Sequence, residues 1–175
     1  MTDNSFLPEN YEAPSGGGGY MKLQQGENRI RILCSPILGW EGWKDKQPTR
    51  FRMEERPVTT DFDGGKTKHF WAFICWDYAD EEVKILQITQ ATIQKSIESL
   101  ARDKDWGVPF EYDIKITRRG ESLETEYSVN PVPHSPVTKE MKDALIAKPI
   151  RLEALYDGED PFDVNPEDVI DPLPF

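Results

Sequence analysis

Short stretches of this chain alternate polar and hydrophobic residues, which is the two-residue period of a half-buried β-strand. The first such stretch is 29–33, and 50–53 repeats its alternation of arginine and apolar residues. Residues 68–78 form the longest and most aromatic stretch, and 83–88 follows it after an acidic turn. The pattern predicts strands at these four places. The segment 40–46, with its two tryptophans and two lysines, is predicted as a loop between the first two strands.

A helical period replaces the alternation in the middle of the chain. Ile93, Ile97 and Leu100 recur at positions i, i+4 and i+7, so they share one face of a helix. Thr89 stands in the position of an N-cap. The spacing predicts a helix that ends near Arg102.

The alternation returns after this helix. Residues 112–117 and 124–129 alternate on either side of 118–121, which predicts a β-hairpin. A proline-rich link then leads to a predicted short helix at 138–147. A strand-like pattern at 149–156 predicts one further strand.

This order of elements indicates a mostly β fold with one or two helices. Three strands, the third extended into a hairpin by 83–88, are followed by a helix and two more strands. This order matches the connectivity of an OB-fold, a five-stranded Greek-key barrel with its helix between strands three and four. Another α+β barrel is the alternative. The sequence divides into a flexible N-terminal arm (1–19), the OB-fold domain (20–151) and a flexible acidic C-terminal tail (152–175).

The net charge of −11 is concentrated at the two ends of the chain. Residues 1–19 carry three acids and no base, and residues 152–175 carry eight acids and no base. The remaining body therefore holds 21 bases and 21 acids. A body of zero net charge can still present a local basic patch, which is what binding of a polyanion requires.

The potential metal-binding and nucleophilic side chains are few and scattered. Cys34 and Cys75 lie 41 residues apart, and together with His69 and His134 they show no spacing typical of a zinc site. No sequence motif of a hydrolase or metalloenzyme is present. We therefore expect a non-catalytic protein without metal or cofactor. The absence of a signal sequence and of a long apolar run predicts a cytoplasmic location without membrane contact.

Aromatic residues and bases occur together in the predicted strands. Sequence-independent binding of single-stranded nucleic acid uses bases along a groove and aromatic faces on which nucleobases stack. In the 68–78 strand the row with Phe70 and Trp76 is wholly apolar and predicted as core, so Trp71 and Phe73 on the other row, which has polar ends, are the candidates for stacking. The inverse assignment of the two rows is the alternative. The candidate nucleic-acid contacts are Arg29, Arg31, Trp40, Trp43, Lys44, Lys46, Arg50, Arg52, Lys68, Trp71, Phe73, Lys115, Arg118 and Arg119.

The last eight residues place acids before an apolar Leu-Pro-Phe end. Such a segment has the chemistry of a docking peptide, because the charges steer the encounter while the ring inserts into an apolar pocket. A solvated acidic tail without a partner is the alternative. The candidate partner-binding residues are Asp168, Asp171, Leu173, Pro174 and Phe175.

Several segments, taken in order, resemble bacteriophage single-stranded-DNA-binding proteins of the OB-fold type. They are GENRIRIL at 26–33, FWAF at 70–73, DWG at 105–107, YDIKI at 112–116 and ETEY at 124–127. The Leu-Pro-Phe end is similar to the acidic Ile-Pro-Phe tip of bacterial single-stranded-DNA-binding proteins. The cysteine and histidine zinc site and the basic N-terminal arm of T4-type relatives are missing.

The resemblance implies a protein that coats and protects single-stranded DNA during replication, recombination and repair, in the host bacterial cytoplasm if a phage encodes it. It also implies that the tail recruits a polymerase, a primase or helicase, or a nuclease. Association of several copies along the DNA is compatible with this role. The rival interpretation is an acidic adaptor or DNA-mimicking inhibitor that binds a DNA-processing enzyme without binding DNA.

Overall fold

The computed structural model describes residues 19–165, which fold into seven β-strands and two α-helices. The strands are β1 (Gly26–Ile32), β2 (Ile37–Lys44), β3 (Gln47–Arg52), β4 (Thr67–Asp77), β5 (Glu82–Ile88), β6 (Ile114–Arg119) and β7 (Glu126–Pro131). The helices are α1 (Ala91–Arg102) and α2 (Lys139–Ala147), and a 3-10 helix follows at Leu152–Asp157. All ladders between these strands are antiparallel.

The strands form an OB-like barrel with a hairpin added to it. The strand order is β3-β2-β4-β1-β6-β7, and β5 pairs with the other edge of β4. Five strands, β1, β4, β5, β6 and β7, surround one apolar interior, and α1 connects the third of these to the fourth. The predicted fold class is therefore confirmed. The hairpin of β2 and β3 is inserted between the first two barrel strands and extends the sheet alongside β4.

The barrel interior is filled by apolar side chains from its strands and from the inner face of α1. Ile93 and Ile97 of α1 pack there, with Tyr127 and Val129 of β7 against the same cluster. The buried members of this cluster are Met21, Ile30, Ile32, Phe73, Cys75, Leu86, Ile88, Ile93, Ile97, Tyr112, Ile114 and Ile116.

A second apolar cluster covers the outer face of β4 and β5. The other row of β4, with Phe70 and Trp76, packs there against Met141 of α2 and against Leu152 and Leu155 of the 3-10 helix. α2 begins where the Thr138 hydroxyl accepts a hydrogen bond from the Met141 backbone N–H at 3.2 Å. The C-terminal segment therefore belongs to the packed structure at least as far as Phe162, which contacts Tyr20. The boundary drawn at residue 151 falls inside it.

The two predicted helices and the 112–129 hairpin are confirmed, but the segment 149–156 is not a strand. Leu152 and Leu155 are three residues apart, so a 3-10 helix places both on the same side and buries both against the sheet. The N-cap of α1 is Gln90 rather than Thr89, and it makes no side-chain capping bond.

The predicted loop at 40–46 is also wrong, because it is most of β2 and its turn. Asp45 and Lys46 have φ of 52° and 64°, the left-handed pair of a two-residue hairpin turn. Gly39 and Gly42 interrupt the alternation in the sequence. Both positions require glycine because neighbouring atoms lie close to the backbone there. A Cβ at Gly39 would overlap the Phe51 carbonyl oxygen, and one at Gly42 would overlap the Phe62 ring.

A fully buried ion pair fixes β1 against the start of β6. The Nε of Arg31 lies 2.6 Å from Oδ1 of Asp113, and both side chains are 1% exposed. Asp113 also accepts hydrogen bonds from the Tyr78 hydroxyl at 2.6 Å and from Arg29 at 2.7 Å. Arg31 donates further to the carbonyl oxygens of Phe110 and Ser135 and to the Ser135 hydroxyl.

We predict that Asp113→Ala lowers the free energy of unfolding by about 3–5 kcal/mol, because it leaves the Arg31 charge buried without a partner. Urea denaturation measures this loss. The matched control is Glu27→Ala, which removes an exposed contact to Lys115 at 3.8 Å and should cost about 1 kcal/mol or less. Equal losses in the two variants would contradict the structural role of the buried pair.

Candidate nucleic-acid interface

The β2–β3 hairpin presents its aromatic and basic side chains on two faces. The register pairs Trp40 with Phe51 of β3 and with His69 of β4, so these three rings share one side, the Trp40 face. Trp43 lies on the opposite side, the Trp43 face, together with Arg50. The hairpin therefore carries one indole on each side.

On the Trp40 face the indole is held in a fixed position. Its Nε1–H donates to the carbonyl oxygen of Met53 at 3.1 Å, and the His69 ring lies 5.4 Å away between centroids. The guanidinium carbon of Arg56 lies 4.2 Å from the centroid of the indole. Sequence reasoning missed Arg56, because it follows a 3-10 turn at Met53–Glu55 and belongs to no alternating pattern.

On the Trp43 face a buried carboxylate organises the side chains. Glu41 is 5% exposed, and it accepts hydrogen bonds from Gln87 at 2.6 Å and from the Trp43 indole N–H at 3.2 Å. Arg50 lies 3.3 Å from the same carboxylate and donates to Gln87 at 2.8 Å. The Arg50 guanidinium is thus held by protein partners, whereas Trp43 is 46% exposed.

The remaining predicted bases of the hairpin region are accessible. Lys44 ends β2, Lys46 lies in the turn that follows, and Lys68 lies opposite Glu41 in the register; all three are exposed. None of the three has an ion pair with another residue between 19 and 165. Arg52 is half-buried, with its guanidinium carbon 4.6 Å from the centroid of the Tyr156 ring.

A second group of predicted bases lies on β1 and β6, which do not pair with the hairpin. Arg29 is held by Asp113 and its guanidinium lies 4.8 Å from the centroid of the Tyr78 ring. Lys115 lies opposite Arg29 in the register. Arg118 donates to the Leu23 carbonyl oxygen at 3.1 Å, and Arg119 is exposed. The structure thus separates the candidate bases into two groups.

Two predicted stacking or phosphate contacts, Arg31 and Phe73, are buried, so the prediction that a ligand can reach them is wrong. Arg31 does point away from the barrel interior, but the loop that carries Ser135 covers it completely. Phe73 is 1% exposed in the barrel interior, since both faces of β4 are covered. Trp71 is half-buried and lines, together with Phe110, an apolar cavity of about 250 Å³ at the mouth of the barrel.

Burial also makes the two thiols poor metal ligands and nucleophiles. It raises the pKa of Cys34 to about 11, and it raises the pKa of Cys75 as well. Residues 19–165 contain no group of three histidine, cysteine or acidic side chains that could hold a metal ion. In the same part of the chain no helix is long and apolar enough to cross a membrane. The predicted partner-binding residues Asp168, Asp171, Leu173, Pro174 and Phe175 lie outside the described residues.

Sequence comparison links this chain to a bacteriophage protein. No protein-family profile and no solved structure matches it. A protein of Escherichia phage T5 named "Probable ssDNA-binding protein" is 32% identical over 143 residues, covering 65% of this chain and 54% of the relative. The chain is similar to a probable bacteriophage ssDNA-binding protein. The predicted resemblance is confirmed, and the match spans about half of the relative's length.

We predict stability losses of different size for two aromatic residues that the sequence pattern treats alike. Phe73→Ala should lower the free energy of unfolding by about 3–5 kcal/mol, because it opens a cavity in the barrel interior. Trp43→Ala should lower it by about 1 kcal/mol or less, since much of that ring is already in water. Urea denaturation followed by circular dichroism compares them. A loss of free energy of unfolding for Phe73→Ala as small as that of Trp43→Ala would contradict the burial of the Phe73 ring.

Proposed function

We propose that this chain is a non-catalytic protein that binds and coats single-stranded DNA. The observation that carries the proposal is the β2–β3 hairpin, where two indoles lie among exposed lysines that have no ion pair within residues 19–165. The phage T5 relative, named as a probable ssDNA-binding protein, supports the same ligand. Protection of single strands in replication, recombination and repair in the cytoplasm is the role that we assign to it.

The chemistry of the hairpin suits a single strand without sequence preference. Each unpaired base has a π-face that can stack on Trp40 or Trp43, and each stacked base contributes about 1–3 kcal/mol. Lys44, Lys46 and Lys68 are available to phosphates on either side of these rings. Apolar stacking platforms carry no hydrogen-bond pattern that would distinguish one base from another.

The second group of bases extends the proposed path of the strand over the barrel. Arg119 and Lys115 on β6 contribute positive charge there, while Arg29 is already held by Asp113. We therefore assign the stacking contacts to the hairpin and weaker, purely electrostatic contacts to β6.

The acidic tail is proposed to recruit a replication or recombination enzyme, such as a polymerase, primase, helicase or nuclease. Five of its eight carboxylates precede Asn165 and belong to the described segment, where Glu159 pairs with Arg151 at 2.6 Å. We further propose that the tail occupies the basic hairpin when no DNA is bound and that a bound strand displaces it. Because the first five carboxylates belong to the described, largely packed segment, we assign this competition to the last ten residues. These carry Glu167, Asp168 and Asp171 ahead of the Leu-Pro-Phe end.

We predict that oligo-dT quenches the tryptophan fluorescence of the full chain and that Trp40→Ala and Trp43→Ala each weaken binding about five- to 150-fold, the equivalent of one stacked base. Affinity should also fall steeply with salt. On a single strand, each phosphate contact adds about 0.7 to the steepness of the plot of log affinity against log salt concentration. Titration of the protein with labelled oligo-dT across a salt series measures both.

Ile146→Ala is the control for these variants, since it removes an exposed apolar side chain on α2, away from the hairpin. It should leave the affinity unchanged. If neither the full chain nor a variant without its last ten residues binds oligo-dT at low salt, the adaptor or DNA-mimic interpretation replaces this one.

Deletion of residues 166–175 is predicted to tighten oligo-dT binding about two- to fivefold at low salt, which is the equivalent of one exposed ion pair. The same deletion should abolish recruitment of the partner enzyme. The gain should disappear at high salt, because exposed charges are screened. Fluorescence anisotropy measures the affinity. The cut after Asn165 leaves Phe162 and the 3-10 helix in place.

Phe175→Ala separates the two roles of the tail, because it keeps the three carboxylates and removes the ring. It should bind DNA like the full chain and fail to recruit the enzyme. An unchanged DNA affinity after the ten-residue deletion would rule out the competition.

A further inference from the structure

The Arg56 guanidinium covers one face of the Trp40 indole. Its central carbon lies 4.2 Å from the ring centroid, which is the geometry of a cation–π contact. The Arg56 side chain is exposed and makes no hydrogen bond or ion pair with any residue between 19 and 165. The contact with Trp40 is thus what holds the Arg56 side chain within the described part of the protein.

The two partners of this contact are restrained to different degrees. The indole is fixed through its hydrogen bond to the Met53 carbonyl oxygen and its packing near His69. Arg56 directly follows the short 3-10 turn at Met53–Glu55, and its side chain reaches over the ring from outside the sheet. An exposed arginine side chain can leave the ring without disturbing any packed residue.

We propose that Trp40 is a base-stacking site that Arg56 occupies when no DNA is bound. A nucleobase takes the place of the guanidinium on the indole, and Arg56 moves to a phosphate of the same strand. This inference rests on the proposed function, because the incoming ligand is a base of single-stranded DNA.

The magnitudes of the two contacts favour the exchange. An exposed cation–π contact changes an equilibrium constant about two- to fivefold, whereas a base stacked on an aromatic side chain changes it about five- to 150-fold. The displaced guanidinium keeps its N–H donors, which match the oxygens of a phosphate in a bidentate contact. Arg56 thus keeps the indole face covered at rest and adds a charge contact to the bound state.

Nuclear magnetic resonance of the arginine Nε–Hε groups tests the exchange in the full chain. In the free protein the Arg56 signal, assigned by its loss in Arg56→Lys, should be shifted upfield by the ring current of the indole. Saturating oligo-dT should remove that shift. An abasic oligonucleotide of the same length and charge should leave it in place, because it offers phosphates without bases.

Arg29 is the internal control, because its guanidinium lies over the Tyr78 ring but is also held by the buried Asp113. Its signal should stay ring-shifted in all three samples. An Arg56 signal that stays shifted under saturating oligo-dT overturns the exchange while leaving the proposed function intact. A complete absence of oligo-dT binding in the same samples instead overturns the proposed function, and the exchange with it.

The move of Arg56 to a phosphate has a separate readout. Arg56→Ala should reduce the slope of log affinity against log salt by about 0.7, the value of one phosphate contact on a single strand. Quenching of tryptophan fluorescence by bound oligo-dT should persist. Arg102→Ala, which removes an exposed arginine that pairs with Glu98 on α1, should leave the slope unchanged. An unchanged slope in Arg56→Ala would overturn this second half of the proposal.

Discussion

The ion pair between Arg31 and Asp113 is the contact on which the arrangement of the barrel depends. Removing two charges from water is costly, and the cost is offset only when every donor and acceptor finds a partner. Here Asp113 accepts from Arg31, Arg29 and Tyr78, and Arg31 donates to Phe110 and Ser135 as well. One network thus joins β1, the end of β4, the entry to β6 and the loop that leads to α2. The barrel and its C-terminal cover are fixed to each other by the same few atoms.

This cover determines where a ligand can bind. OB-folds commonly use an open strand face for nucleic acid. In this chain the outer face of β4 and β5 is buried under Met141, Leu152 and Leu155. Displacement of these side chains would expose a whole apolar cluster to water. Exposed aromatic surface with accessible bases is found instead on the inserted β2–β3 hairpin. The proposed stacking platform therefore lies on an extension of the sheet and not on the barrel wall. Trp40 and Trp43 lie on opposite faces of that extension because three positions separate them along β2.

Alternation in the sequence predicted which side of β1 each residue faces, but not what covers that side. Arg31 is covered by groups at Asp113 and Ser135, which are 82 and 104 residues away, and no local pattern reports such distant contacts. Phe73 shows the same limit, because parity separates two rows of β4 but cannot reveal that both rows are buried. Features set by local spacing, such as α1, α2 and the β6–β7 hairpin, were predictable for the same physical reason.

A body with zero net charge can bind a polyanion when its ion pairs are unevenly placed. Arg29, Arg31 and Lys84 are neutralised by nearby carboxylates on the barrel, so they add little to the potential outside it. Lys44, Lys46, Arg56 and Lys68 have no such partner within residues 19–165, and all four lie on the hairpin or next to it. The potential that a polyanion would meet at the hairpin is set by these bases together with the exposed acids beside them, Asp45, Glu54 and Glu55, and not by the sum over the chain.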